Sequence, residues 1–170
     1  MKAPPEGLDE EARSAAQRLI EACSEPTRRI AVAESLTGGG LSMAIATAPG
    51  AGEVFQGGIV AYQSGVKFSA LGVRPGPVVT ADAAEQMATG AAERLGADLG
   101  IAVTGVAGPD TQEGMPVGTV YVAASLSGSV TSRRGRFDGP PEEVRAAAVR
   151  FALDLANAVV TAGERPVAGR

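Results

Sequence analysis

The sequence contains no histidine. That absence excludes a Ser-His-Asp triad, a Cys-His pair and any histidine-ligated metal site. Acid–base chemistry is left to Lys, Tyr, Asp and Glu. Cysteine occurs once, at Cys23, which excludes an intramolecular disulfide and a cysteine zinc site. A chain without disulfides fits a reducing cytoplasm. Cys23 itself falls on the apolar face of an expected helix, as a small core residue. Tryptophan is missing and aromatics make up 4% of the chain, so the core must be mainly Ala, Val, Leu and Ile. No apolar stretch reads as long enough to span a membrane, and the polar, acidic N-terminus has no apolar signal region. The expectation is a cytoplasmic protein with no membrane partner. Lysine is the last scarcity: there are two, against thirteen arginines.

What is present is one domain's worth of chain, 170 residues with an apolar fraction of 45%. The net charge of -4 argues against a general nucleic-acid partner. The local run Arg133, Arg134, Arg136 reads as a solvated strand edge, with phosphate contact as the alternative. Residues 1–7 and 163–170 are expected to be flexible, leaving a domain over 8–162. Within it, helical and strand patterns alternate. Helices are expected over 8–23, 39–48, 67–71, 81–95 and from Pro140–Pro141 to about Val160. Strands are expected over 29–33, 58–62 and 99–103, with a hairpin of 117–126 and 129–137 around Ser127-Gly128. Thr80 is the expected N-cap, and Gly96 the expected stop, of the 81–95 helix. This order implies an α/β fold, a single-domain three-layer α/β/α sandwich with a mixed sheet.

Lys67 is the chemically informative residue. Arginine keeps its proton in a protein, whereas a buried lysine can lose it and serve as a base. The other lysine, Lys2, lies in the loose N-terminus, and Lys67 follows Tyr62 and the apolar strand 58–62 by a few residues. That strand reads as buried. Two other strands end in glycine-rich turns. One is Ser35-Leu36-Thr37-Gly38-Gly39-Gly40, and the other is Thr104-Gly105-Val106-Ala107-Gly108. Such turns let the backbone approach a ligand at the carboxyl ends of strands, and helix N-termini offer N–H groups to an anion. The bland alternative is that the glycines only make tight turns. Neither turn is a Walker A loop or a GxGxxG fingerprint. The pattern suggests a cradle for a phosphorylated small molecule, with Ser35, Tyr62, Lys67 and Thr104 converging on one pocket.

Several motifs together resemble the CinA C-terminal domain family, which includes nicotinamide mononucleotide deamidases and proteins named as competence- or damage-inducible. Ala33-Glu34-Ser35-Leu36-Thr37-Gly38-Gly39 is similar to AES-[LC]-TGG. Pro49-Gly50 and Phe55 stand where the family has PG-x-S-x-x-F. Gly57-Gly58-Ile59-Val60-Ala61-Tyr62, followed by Lys67, matches GG-[VF]-V-x-Y and the family lysine. Thr104 to Asp110 matches [TS]-G-[IV]-AGPD, and Pro116 to Val120 matches PVGTV. The resemblance implies a compact α/β/α domain that associates with itself. Full-length family members carry an additional N-terminal domain, which this chain is too short to contain. The implied chemistry is hydrolysis of a nicotinamide carboxamide to a carboxylate plus ammonia. A serine is the nucleophile, a lysine its base and a tyrosine assists. No cofactor or metal is implied.

Two departures bear on activity. The family serine is Gly52 here, and Pro141 replaces an arginine suited to gripping phosphate, while Arg145 is kept. Ser64 stands for a family asparagine. The reading is therefore an amidohydrolase acting on a pyridine nucleotide. Lys67, Tyr62 and Ser35 are its catalytic candidates. Thr37, Gly38, Gly39, Gly52, Thr104, Gly105, Gly108 and Arg145 are candidates for the substrate site. The alternative is an inactive nucleotide-binding or interaction module on the same scaffold.

Overall fold

A computed structural model describes residues 9–163. The ends expected to be flexible lie outside the described residues, except that Gly163 is the last residue of a helix. The elements in chain order are α1 (Glu10–Ser24), β1 (Ile30–Glu34), α2 (Gly40–Ala46), α3 (Ala51–Val54), β2 (Phe55–Val60), α4 (Ser64–Leu71), α5 (Ala81–Leu95), β3 (Leu99–Gly105), β4 (Thr119–Leu126), β5 (Ser129–Arg136) and α6 (Pro141–Gly163). Local chemistry sets the helix ends. Asp9 caps α1 by accepting the Ala12 N–H at 2.7 Å. Thr80 caps α5 by accepting from Ala83 at 3.0 Å, and Gly96 closes α5 in the left-handed conformation. Pro141 opens α6, where its missing N–H costs nothing.

The sheet runs β2-β1-β3-β4-β5. β1 pairs in parallel with both β2 and β3, so Glu34 stands level with Val60 and Val103. β4 and β5 follow as antiparallel neighbours, completing the expected mixed sheet. Alternation of side chains divides the core. Ile30, Val32, Leu99, Ile101, Val103, Val120 and Val122 pack on the side of α1 and α6. Each such Leu or Ile contributes about 1.5–3 kcal/mol by leaving water. Ala31, Ala33, Ala102 and Ala123 face the other way, toward α5. On that side helix and sheet touch closely. A Cβ at Gly100 of β3 would sit 2.0 Å from the Ala88 carbonyl oxygen of α5, and α5 is as close to α4, where a Cβ at Gly90 would sit 2.0 Å from the Leu71 carbonyl oxygen. Cys23 is fully buried in the α1 layer, as expected.

Two expectations are corrected. The strand expected at 58–62 is β2, which starts earlier and is a half-exposed sheet edge, not a buried strand. Its two glycines hide the start from any apolar pattern. Gly58 is where α2 crosses the strand, since a Cβ there would meet the Ser42 hydroxyl at 2.3 Å. The second correction concerns membrane-length segments. By length and composition α6 could cross a bilayer. Its Val144, Ala148, Leu153, Leu155, Ala156 and Val160 are instead buried in the core.

Candidate functional site

The first glycine-rich turn is organised by a residue that the sequence reading left unassigned. Glu34 ends β1 with its side chain fully buried. Its carboxylate accepts five hydrogen bonds: from the Thr37 hydroxyl at 2.6 Å, the N–H groups of Gly39, Leu41 and Ser42 at 3.1, 3.0 and 2.8 Å, and the Ser42 hydroxyl at 2.7 Å. Burying a carboxylate is tolerable only when its oxygens are met by donors in this way. The N–H groups at the start of α2 are therefore taken by the protein's own anion. Gly38 and Gly39 adopt φ of 58° and 106°, which bends the turn back over Glu34. The signal for this role was an acidic residue a few positions before a helix N-terminus.

Thr37 and Arg145 meet at a cleft of about 180 Å³ that is also lined by Gly40, Glu142 and Val149. Arg145 donates through Nε to the Leu36 carbonyl at 3.1 Å, tying α6 to the turn. A larger cleft of about 550 Å³ opens between α1 and α2 and is lined by none of the expected residues.

The second turn lies beside the first. The Ser35 N–H donates to the Val103 carbonyl at 3.1 Å, and the Ala61 N–H donates to the Glu34 carbonyl at 2.7 Å. The segments carrying Ser35, Tyr62 and Thr104 thus leave the carboxyl ends of three neighbouring parallel strands. Their side chains differ in availability. The Thr104 hydroxyl donates to the Val78 carbonyl at 2.9 Å and is buried. Ser35 is a buried residue, and its hydroxyl makes no hydrogen bond with another described residue. Gly105 and Gly108 have packing reasons to be glycine, since a Cβ would meet the Thr119 carbonyl oxygen at 2.5 Å and Val117 at 2.8 Å respectively.

Lys67 is 1% exposed, the largest fully buried side chain described. It sits in α4, and its Nζ donates to the backbone carbonyl of Tyr62 at 3.1 Å. The connection to Tyr62 therefore runs through the main chain, while the Tyr62 side chain is 58% exposed. Burial pushes the Lys67 ammonium below its ordinary 10.5, and the nearby Glu113 carboxylate opposes that shift. Glu113 is the second residue that the sequence reading missed. It reaches across the chain to accept the N–H groups of Val78 at 2.9 and 3.0 Å and Val79 at 2.8 Å. It does so from φ 54°, a conformation rarely adopted by a side-chain-bearing residue.

Gly52 is not part of this cluster. It lies in α3, just before Phe55, at the amino ends of the parallel strands. The length of β2, about 20 Å, separates it from Tyr62 in the same chain. No atom lies within 4 Å of a Cβ built there, and its φ is outside the left-handed range, so a serine fits.

Comparison with known proteins gives a consistent result. The CinA C-terminal domain family matches residues 12–160. A CinA-like protein of Frankia casuarinae is 45% identical over 131 residues, covering 74% of this chain and 30% of that protein. A CinA-like protein of Thermosynechococcus vestitus is 41% identical over 147 residues, covering 81% and 35%. The chain thus spans about a third of the length of the curated relatives it matches. Among solved structures, a CinA superfamily protein from Klebsiella pneumoniae 700603 superposes with a TM-score of 0.85 at 32% identity, covering 89% of this chain and 98% of that one. A competence/damage inducible protein from Agrobacterium tumefaciens gives 0.85 at 32%, covering 94% and 99%. With the family match running over most of the described residues and the fold shared at this level, the chain belongs to the CinA C-terminal domain family.

Proposed function

We propose that the protein is a cytoplasmic amidohydrolase acting on the carboxamide of a pyridine nucleotide such as nicotinamide mononucleotide. The observation that carries this reading is Lys67, a buried amine with a lowered proton affinity at the carboxyl ends of three parallel strands. A neutral amine there takes the proton of an attacking hydroxyl or water. Attack on the amide carbon gives a tetrahedral adduct, and the same proton leaves with ammonia; where a hydroxyl is the nucleophile, water then cleaves the ester so formed, releasing the carboxylate and restoring the hydroxyl. Thr37 and Thr104 spend their hydroxyls on Glu34 and Val78, so Ser35 is the candidate hydroxyl left uncommitted at the carboxyl ends of the parallel strands. Nucleic acid has no place in this reading of an acidic chain.

A second reading, an inactive nucleotide-binding or interaction module, is favoured by two features. Gly52 carries no nucleophilic atom. Arg145, the cation kept from the family pattern, already engages the Leu36 carbonyl. Ammonia release from nicotinamide mononucleotide separates the two. The enzyme reading expects release by the natural chain or by Gly52→Ser, and its steep loss in Lys67→Arg. Intact folding with no ammonia from either chain would leave the module.

A further inference from the structure

The cleft of about 550 Å³ between α1 and α2 is built from unlike walls. The α1 wall carries long polar side chains, among them Arg13, Gln17 and Arg18. The facing wall is short and mainly apolar, made by Ala44 on α2 and by Ala48 and Pro49 just after it. Alanines opposite long side chains keep the helices from closing on one another, and this leaves the space. An apolar wall facing a few placed polar groups, in a volume within the range of about 300–1,000 Å³, is how small-molecule sites are made. None of Ser35, Tyr62, Lys67 and Thr104 lines it, so the cleft is separate from the amidohydrolase reading.

The polar wall is held in place by carboxylates one helical turn away. Arg13 engages Glu10 Oε2 through Nε at 3.3 Å and Nη2 at 3.2 Å. Gln17 Nε2 donates to Glu21 Oε1 at 2.8 Å. These bonds fix both side chains and leave each with one polar atom over. Arg13 Nη1, a donor, and Gln17 Oε1, an acceptor, are shielded from solvent and make no hydrogen bond among the described residues, not even with each other. No other shielded side-chain nitrogen or oxygen among the described residues is left in that condition. Shielded polar atoms are nearly always satisfied in folded proteins. Here two exceptions of opposite kind stand four residues apart on one helix face, in the lining of one cleft.

We propose that this cleft binds a flat ring containing a cyclic amide, whose carbonyl accepts from Arg13 Nη1 and whose ring N–H donates to Gln17 Oε1. A donor and an acceptor side by side call for a ligand with an acceptor and a donor side by side, and a cyclic amide presents both in one plane. A carboxylate offers acceptors alone and would set an anion against Gln17 Oε1. An ammonium offers donors alone and would meet the Arg13 cation. Charge agrees with a neutral ring, since Glu10 already balances Arg13, and Arg18 is exposed where water screens it. Ala44, Ala48 and Pro49 give the ring an apolar surface to lie against. The Arg13 side chain keeps 30% of its surface exposed, so a small rotation brings Nη1 to the ligand.

Titration with uracil, a bare ring of this class, tests the site. Backbone amide NMR signals of Arg13, Gln17, Ala44 and Ala48 in the natural chain are expected to shift and saturate with a Kd of about 1 mM. Uracil methylated on both ring nitrogens keeps its carbonyls and loses its N–H groups, and is expected to bind about tenfold more weakly. Gln17→Leu removes the acceptor and is expected to weaken uracil by a similar factor. Ala48→Leu fills the cleft from the opposite wall without touching a polar atom, and is expected to abolish saturation while the circular dichroism spectrum is unchanged. Benzoate is expected to bind more weakly than uracil. Absence of saturable shifts at these residues overturns the proposal. So does equal binding of uracil and its dimethylated form, tighter binding of benzoate, or binding that survives both Gln17→Leu and Ala48→Leu. Should either variant fail to fold, the comparison of the three probes on the natural chain still decides.

Discussion

Glu34 and Glu113 do the same work in opposite settings. Each uses one carboxylate to accept backbone N–H groups and so fixes a turn at the carboxyl end of the sheet. Glu34 is fully buried and gathers donors from three to eight residues ahead of it. Glu113 is exposed and gathers donors 34 and 35 residues behind it. A buried local anchor and an exposed distant one should differ in energy and in visibility. The first is hard for water to replace, because Glu34 itself and its Thr37 and Leu41 partners are buried. The second sits where solvent can take over part of its role.

The largest effect follows from the buried member. Glu34→Ala leaves the N–H groups of Gly39, Leu41 and Ser42 without their acceptor, and should cost about 3–5 kcal/mol in urea denaturation. A loss below about 1 kcal/mol would break the contrast between the two anchors.

Glu113→Ala should cost less, about 1–2 kcal/mol, because solvent screens and replaces the bonds it loses. Amide exchange at Val78 and Val79 should accelerate in that variant while Gly39, Leu41 and Ser42 remain protected. Acceleration of both sets would mean that the turns are one cooperative unit.

A finer test uses the backbone. Glu113→Gly loses the same bonds as Glu113→Ala but relieves the φ of 54°. It should be more stable than the alanine variant by about 0.5–1 kcal/mol. Equal stabilities would show that the loop relaxes freely once the carboxylate is gone.

The smallest expected effect is on Lys67. Its folded-state proton affinity lies below the ordinary value of 10.5. Between those two values the unfolded chain holds a proton that the folded chain has released. Stability from this group therefore rises with pH across that window and is constant above it. Lys67→Met should flatten the slope of stability against pH there. Glu113→Gln removes the charge that opposes the shift, so the Lys67 transition should move lower. With two lysines in the chain, NMR of ¹³C-methylated amines resolves it. A transition moving upward would contradict the assignment of Glu113 as the counter-charge.

The same contrast explains what was legible in the sequence. The first turn is encoded contiguously, strand then acidic residue then glycines then helix, and its location was read correctly. The helix caps Thr80 and Gly96 and the β4–β5 hairpin were legible for the same reason. Glu113 was not, because its partners lie far back in the chain and its loop has no periodic pattern. β2 was misread because Gly57 and Gly58 carry no side chain to show which face is inward, and an edge differs from a buried strand only by what lies beside it. The opposite placements of Gly52 and Lys67 were hidden similarly. Fifteen positions apart in number, they are split by a strand whose direction only the fold reveals.

The close seams that α5 makes with the sheet and with α4 set how this domain can be redesigned. At Gly90 and Gly100 a single added methyl would have to push a main-chain carbonyl by about 1 Å. A library randomised at position 90 of α5 and position 100 of β3 should therefore return almost only glycine at both. Volume for a new ligand or a heavier core has to be won on the α1–α6 side or at the rim. The domain behaves like a plate bonded on one side and adjustable on the other.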